Sequence, residues 1–314
     1  MRASWFHVQA VLILVLIAGG LRHTAAQVVV PGTGKKVAEV GDDFEDPKWN
    51  YIANLPKSSQ ENDHQSRLPG GVAANGRWYE PELRGAPDVV KRVETPSDGL
   101  PGSKGAMSMR TLFSGIPNVP SHSVQQDDFV ANVVSKIGYT PVSRSPSVVT
   151  RVYLPPFDQW EQRTGNSFGF RAALTTTVTK STGRFFGGMT RKQETYWPGM
   201  FIYYKRPDEK NKEPSARFLI RADEMGHDIW GPEIKQTGWW TLGMSFGPDG
   251  KVNYFIKPGV ENLTAKDFVR TQTPYSYTAE RFETFFYDVL NMDDGKSWST
   301  EWVVDDPAVY VDGR

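Results

Sequence analysis

Between Val148 and Val311 the chain repeats one pattern: short runs of aromatic and branched residues, cut apart by Gly, Pro, Asp and Asn. This spacing predicts an all-β sandwich of two antiparallel sheets and argues against a helical or nucleotide-binding fold. Residues 147–154 (SVVTRVYL) alternate strongly and end at Pro155-Pro156. In residues 167–176 the period of two puts Phe168, Phe170, Ala172 and Leu174 on one face and Gly169, Arg171 and Ala173 on the other. Runs at 200–205 and 217–222 flank the charged loop RPDEKNKEPS, and runs at 239–246 and 252–257 flank Gly247-Pro248-Asp249-Gly250, the clearest hairpin turn. Residues 106–112 alternate weakly, and strands at 282–290 and 301–311 close the series; only 279–286 could form a brief helix.

The N-terminal third reads differently. Residues 1–26 carry Arg2, an apolar stretch from Val8 to Ala18 and then Thr24-Ala25-Ala26, the pattern of a removable export signal. The apolar run falls short of the roughly 18 residues needed to span a bilayer. Residues 27–40 (QVVVPGTGKKVAEV) read as a short tether with room for one strand, and the remaining 41–314 as one jelly-roll domain. Within it, residues 55–105 are rich in Pro, Gly, Asn and charge, and read as a loop-rich insertion.

Composition narrows the class. The chain has no cysteine, which excludes disulfides and thiolate chemistry. A secreted eukaryotic domain of this size would usually carry disulfides, so a bacterial exported protein, secreted or periplasmic, is expected. Without Arg2 and Arg22 of the leader, 34 basic residues face 36 acidic ones. That balance leaves no electrostatic footprint for nucleic acid or, once the leader is gone, for a membrane.

The two ends of the chain carry a resemblance. Asp43-Phe44-Glu45-Asp46 with Trp49 at the front, and Trp302-Val303-Val304-Asp305-Asp306 leading to Val309-Tyr310-Val311 at the back, resemble the bookends of the concanavalin-like β-jelly-roll superfamily of carbohydrate-binding modules, lectins, glucanases and polysaccharide lyases. Gly238-Trp239-Trp240-Thr241 through Tyr254 is similar to the central hairpin of those proteins. The resemblance implies that first and last strands lie side by side and that acidic residues there hold a structural Ca²⁺. Asp43, Glu45, Asp305 and Asp306 would then converge as oxygen donors; the alternative is a set of solvated strand-end carboxylates.

Saccharide sites pair aromatic planes with side chains that fork hydrogen bonds. Along the expected strands, the non-core face carries Arg171, Tyr203, Lys205, Arg217, Arg221 and Trp239, a set suited to an acidic polysaccharide or to an ordinary solvent face. Trp78, Trp197 and Trp230 are expected to project from rim loops, and His227 and Asp228 sit in the densest mixture of titratable and aromatic residues.

Glycoside hydrolysis needs two carboxyls straddling the bond. Asp223, Glu224, Asp228 and Glu233 supply acids, but Gly226, Gly231 and Pro232 break the alternation that jelly-roll glucanases use. Residues 254–262 (YFIKPGVEN) resemble a strand motif of jelly-roll alginate lyases, departing by an inserted residue and by Glu261 where an aromatic is expected. A lyase site would draw on His227, Tyr203 and Arg171. The leading expectation is a secreted, calcium-stabilised jelly roll that binds a polysaccharide. The alternatives are a lyase or hydrolase on the same fold and a structural cell-surface protein.

Overall fold

A computed structural model describes residues 28–54, 56–58, 70–181 and 188–313. The export signal expected at 1–26 lies outside the described residues. In chain order the strands are β1 (Lys35–Lys36), β2 (Tyr51–Ile52), β3 (Val72–Ala73), β4 (Trp78–Tyr79), β5 (Val89–Val93), β6 (Ala106–Arg110), β7 (Gln125–Ala131), β8 (Thr140–Pro141), β9 (Ser147–Leu154) and β10 (Gly165–Ser181). There follow β11 (Met189–Tyr196), β12 (Gly199–Lys205), β13 (Ser215–Arg221), β14 (Ile229–Ile234), β15 (Gly238–Phe246), β16 (Val252–Pro258), β17 (Phe268–Gln272), β18 (Arg281–Asn291) and β19 (Trp302–Val311).

These strands form two antiparallel sheets. An eight-stranded sheet runs β17-β16-β15-β9-β19-β6-β5, with β1 also on β19. An eleven-stranded sheet runs β14-β13-β12-β10-β18-β7-β4-β3-β2, with β11 added to β10 and β8 to β18. The last two strands are central: β19 lies between β6 and β9, and β18 between β7 and β10. This is the expected jelly-roll sandwich.

The core follows from the alternation. Phe168, Phe170, Ala172 and Leu174 of β10 all face inward and are fully buried. A connected series of rings runs between the sheets: Trp78 stacks on Phe129 at 5.3 Å and on Tyr287 at 5.7 Å, Tyr287 meets Phe168 at 5.8 Å, and Phe168 meets Trp302 at 5.1 Å. Tyr287 spans the layers, its hydroxyl 2.7 Å from that of Thr150 on β9, so the one polar atom it carries inward is satisfied.

The stretch 27–40, read as a short tether with room for one strand, contributes that strand to the sandwich as β1. Lys35 and Lys36 pair with Val311 and Tyr310, the Val37 amide donates to the Val309 carbonyl, and the Asp42 amide donates to that of Pro307. Gly41 makes this approach possible: its φ is +80°, and a Cβ there would sit 2.1 Å from the Pro307 carbonyl oxygen.

Within the stretch expected as a loop-rich insertion at 55–105, the described residues form β3, β4 and β5, which extend both sheets. Trp78, expected in a rim loop, is wholly buried. Two polar anchors fix what precedes it. The buried Lys57 ammonium lies 2.8 Å from Asp127 and 3.0 Å from Asp88. The Glu80 carboxylate accepts from the amides of Ser58, Gly71 and Ala86. Where 279–286 could form a brief helix, β18 begins at Arg281, as the strand expected at 282–290, with an irregularity in its pairing to β10 between Phe282 and Thr284. Within the described residues the sole α-helical turn is Val134–Ile137.

Truncating Trp302 empties the junction of Trp160 and Phe168. Trp302→Ala should therefore cost about 3–5 kcal/mol in urea unfolding, whereas Trp230→Ala, at the surface, should stay within about 0.5 kcal/mol.

Candidate functional site

The two outer faces differ. That of the eight-stranded sheet is blanketed by chain: Pro31 and Leu263 lie on Gly243, while Val260 and the turn at Ser97 cover Trp239. Trp239, expected beside a ligand, donates its indole N–H to the Ser97 carbonyl and is buried under that turn. The outer face of the eleven-stranded sheet carries charged and aromatic side chains instead.

Register builds this face in rows. One crosses the sheet as Asp128, Asp288, Gly169, Phe201, Leu219 and Trp230. The next runs Val130, Phe286, Arg171, Gly199 and Arg221. On the other side of the first, Tyr203 stands opposite Arg217. Gly169 leaves room at the centre, since a Cβ there would come within 2.9 Å of Asp288 Oδ2 and of the Phe201 ring.

The guanidinium groups are fixed by their neighbours. Arg171 lies 3.3 Å from Asp288, donates twice to the Trp197 carbonyl, and stacks between Phe201 and Phe286. Arg221 forks onto Asp228 at 2.8 and 2.6 Å while lying 4.6 Å over Phe201. Planar cations over ring faces gain electrostatically and shield the apolar floor from water. Arg217 donates to the Gly231 carbonyl and lies 5.0 Å over Trp230. Tyr203 meets the same indole edge-on at 5.3 Å.

Asp128 and Asp288 form a carboxyl pair on neighbouring strands. Asp288 is wholly buried, and burial raises its pKa against the opposing pull of Arg171. Asp128 is only partly covered as a residue, yet its carboxyl is crowded by protein. Burial first, and the adjacent Asp288 second, push its pKa well above 3.8. Two carboxyls this close cannot both ionise, so Asp128 keeps the proton and Asp288 carries the charge that pairs with Arg171.

Of the residues expected at a ligand site, Arg171, Tyr203, Arg217, Arg221 and Trp230 do share one face. Trp197 stands at its rim, 42% exposed, with its carbonyl taken by Arg171. His227 lies on the loop between β13 and β14, highly exposed, with Nδ1 3.4 Å from Asp223. Asp128 and Asp288 were not expected. The signal for Asp288 was present in RFETFFYDVLN, an acid amid an apolar strand on the same period as Phe286 and Leu290; Asp128 lies in QQDDFVA, whose polar start hides the strand.

The four carboxylates expected to hold Ca²⁺ have other partners. Asp306 is neutralised by Arg151 at 2.7 Å and Lys36 at 3.1 Å. Asp305 accepts from the Ser103 hydroxyl and the Asp306 amide, and burial raises its pKa to about 6. Glu45 accepts the amides of Lys104 and Gly105, which lower its pKa, while Asp43 accepts that of Glu45. Among the described residues no three acidic or histidine side chains gather as a metal cage, and a carboxylate already held by two cations does not fit the donor set Ca²⁺ takes.

No family model matches the chain, and no curated protein matches it in sequence. Solved structures similar to it include a carbohydrate esterase from the Shiga toxin-encoding bacteriophage phi24B, 10% identical over 76% of this chain and 91% of that one, with a TM-score of 0.43. An alginate lyase from Pseudomonas aeruginosa is 7% identical over 71% and 86%, with a TM-score of 0.37. One from Klebsiella pneumoniae is 11% identical over 86% and 95%, with a TM-score of 0.33. What the chain's own topology establishes is the fold, a sandwich of two antiparallel sheets.

The shared proton makes a pH prediction. In the unfolded chain Asp128 loses its proton near 3.8, whereas in the folded protein it keeps it to much higher pH. Its contribution to stability is therefore full below 3.8 and is lost as pH rises through the folded pKa. Asp128→Asn supplies a permanent donor to Asp288, so in urea titrations from pH 5 to 9 this variant should lose less stability than the parent. Asp288→Asn, which strips Arg171 of its counter-charge, should be destabilised throughout.

Proposed function

We propose that this protein binds a polysaccharide along the outer face of the eleven-stranded sheet, outside the cytoplasm if the leader expected at 1–26 operates. The observation that carries the reading is Trp230. The residue is 53% exposed although it stands on a strand, with Arg217 over one face of its ring and the Tyr203 ring perpendicular to it. Leaving half of a side chain worth roughly 200 Å² in water forgoes on the order of 2 kcal/mol of burial. A clamped, exposed aromatic plane is what the C–H face of a pyranose stacks on, and its rigidity lowers the entropy lost on binding.

Charge favours an acidic glycan. Arg171 and Arg221 are balanced by Asp288 and Asp228, but Arg217 has no carboxylate partner among the described residues and lies directly against the platform. Catalysis is not part of the proposal. Asp288 is wholly buried and committed to Arg171, and His227 is tied to Asp223 on an exposed loop.

A panel of soluble acidic and neutral polysaccharides titrated against intrinsic tryptophan fluorescence tests this. Trp230→Ala should weaken binding of the best ligand at least tenfold, about 1.4 kcal/mol, without altering the melting temperature. Unchanged affinity in that variant would remove the platform reading.

A further inference from the structure

At one end of the same sheet lies a cavity of about 600 Å³, a volume within the range of small-molecule sites. It forms where three strands stop or start: Arg163 and Thr164 precede β10, Arg206 follows β12, and Met292 follows β18. Tyr203 lies three residues before Arg206, so the platform and the cavity draw on the same strand, β12.

Most polar groups of the wall are already engaged. Glu161 accepts the Met292 amide through Oε1 and the Arg163 Nε–H through Oε2, and Arg163 also donates to the Asn166 carbonyl. Gln162 donates to the carbonyls of Phe157 and Trp160 and accepts the Tyr204 hydroxyl. Two groups remain. Arg206 is exposed, and its guanidinium has no hydrogen bond or ion pair with any described residue; only its backbone amide is used, by Thr164. Trp298 is partly exposed, with the Arg110 guanidinium stacked 4.7 Å behind its ring. Two guanidinium groups, Arg163 and Arg206, and one carboxylate, Glu161, thus line the cavity, with Arg110 stacked on Trp298, and with Asp294 just beyond Met292. Asp294 is held within its own turn by the amides of Lys296 and Ser297 and by the Ser297 hydroxyl.

We propose that this cavity is a subsite for one uronate unit of the glycan, with the carboxylate on Arg206 and the sugar ring against Trp298. The proposal deepens the polysaccharide reading and rests on it for the ligand class. A free guanidinium pairs with a carboxylate through two parallel hydrogen bonds, and an aromatic ring braced from behind offers the apolar half of the recognition. A neutral hexose would leave Arg206 without its charged partner.

Indole N–H resonances of the ¹⁵N-labelled protein provide the test, with Trp298→Ala and Trp230→Ala used to assign the two signals. Glucuronate, galacturonate and mannuronate are titrated beside glucose, galactose and mannose. At least one uronate should move the Trp298 signal at a concentration tenfold or more below its neutral counterpart, and Arg206→Ala, a surface change that leaves the fold intact, should weaken that response about tenfold. Equal responses to acid and neutral sugar, insensitivity to Arg206→Ala, or a Trp298 signal that no uronate moves would each overturn the subsite. A shift confined to Trp230 would sink the subsite while the platform stands. A shift confined to Trp298 would keep the subsite and sink the platform.

Discussion

Everything in this molecule depends on the two C-terminal strands being wedged into the middle of sheets begun much earlier in the chain. β19 separates β6 from β9, and β18 separates β7 from β10. Without them neither sheet is continuous, and the ring series through Trp78, Phe168, Tyr287 and Trp302 loses half its members. Contacts across such sequence distances yield their free energy only after long loops have closed, so the sandwich forms as one cooperative unit. The ligand face inherits this dependence, because Asp288, the counter-charge of Arg171, rides on β18.

The same wedge explains what was legible in the sequence. Strands with one face in the core announce themselves by alternation, as at Phe168 to Leu174, and the turn at Gly247 to Gly250 fixes its hairpin because both strands show their period. Strands with unusual surroundings do not. β11 (MTRKQETY) pairs with β10 and is exposed from Met189 to Gln193, so no apolar alternation marks it. β14 contains Gly231-Pro232, which read as a break yet falls within a strand that has a partner on one side only. The Trp78 region reads as loop because its strands are two residues long, although its indole is among the largest side chains in the core.

The face was half visible for a related reason. Arg171, Tyr203, Arg217, Arg221 and Trp230 could be brought together by parity along each strand. What parity does not reveal is which charges cancel. Arg171 and Arg221 act as struts over Phe201, each with its own carboxylate, and only the register between β18 and β7 sets Asp288 beside Asp128. Electrostatic character is thus a property of pairs across strands, while a single-strand pattern reports hydrophobicity alone. The carboxylates at the two ends make the same point in reverse: adjacency of the termini was correctly expected, but Arg151 and Lys36 reach Asp306 from elsewhere in the sheet.

The carboxylate of Glu80 gathers the amides of Ser58, Gly71 and Ala86 at one point. Positions far apart along the chain are thereby clasped by a single side chain, next to β3 and β4 and away from the strands that carry the ligand face. Loss of that clasp would unfasten three segments at once while leaving Arg217 over Trp230 undisturbed.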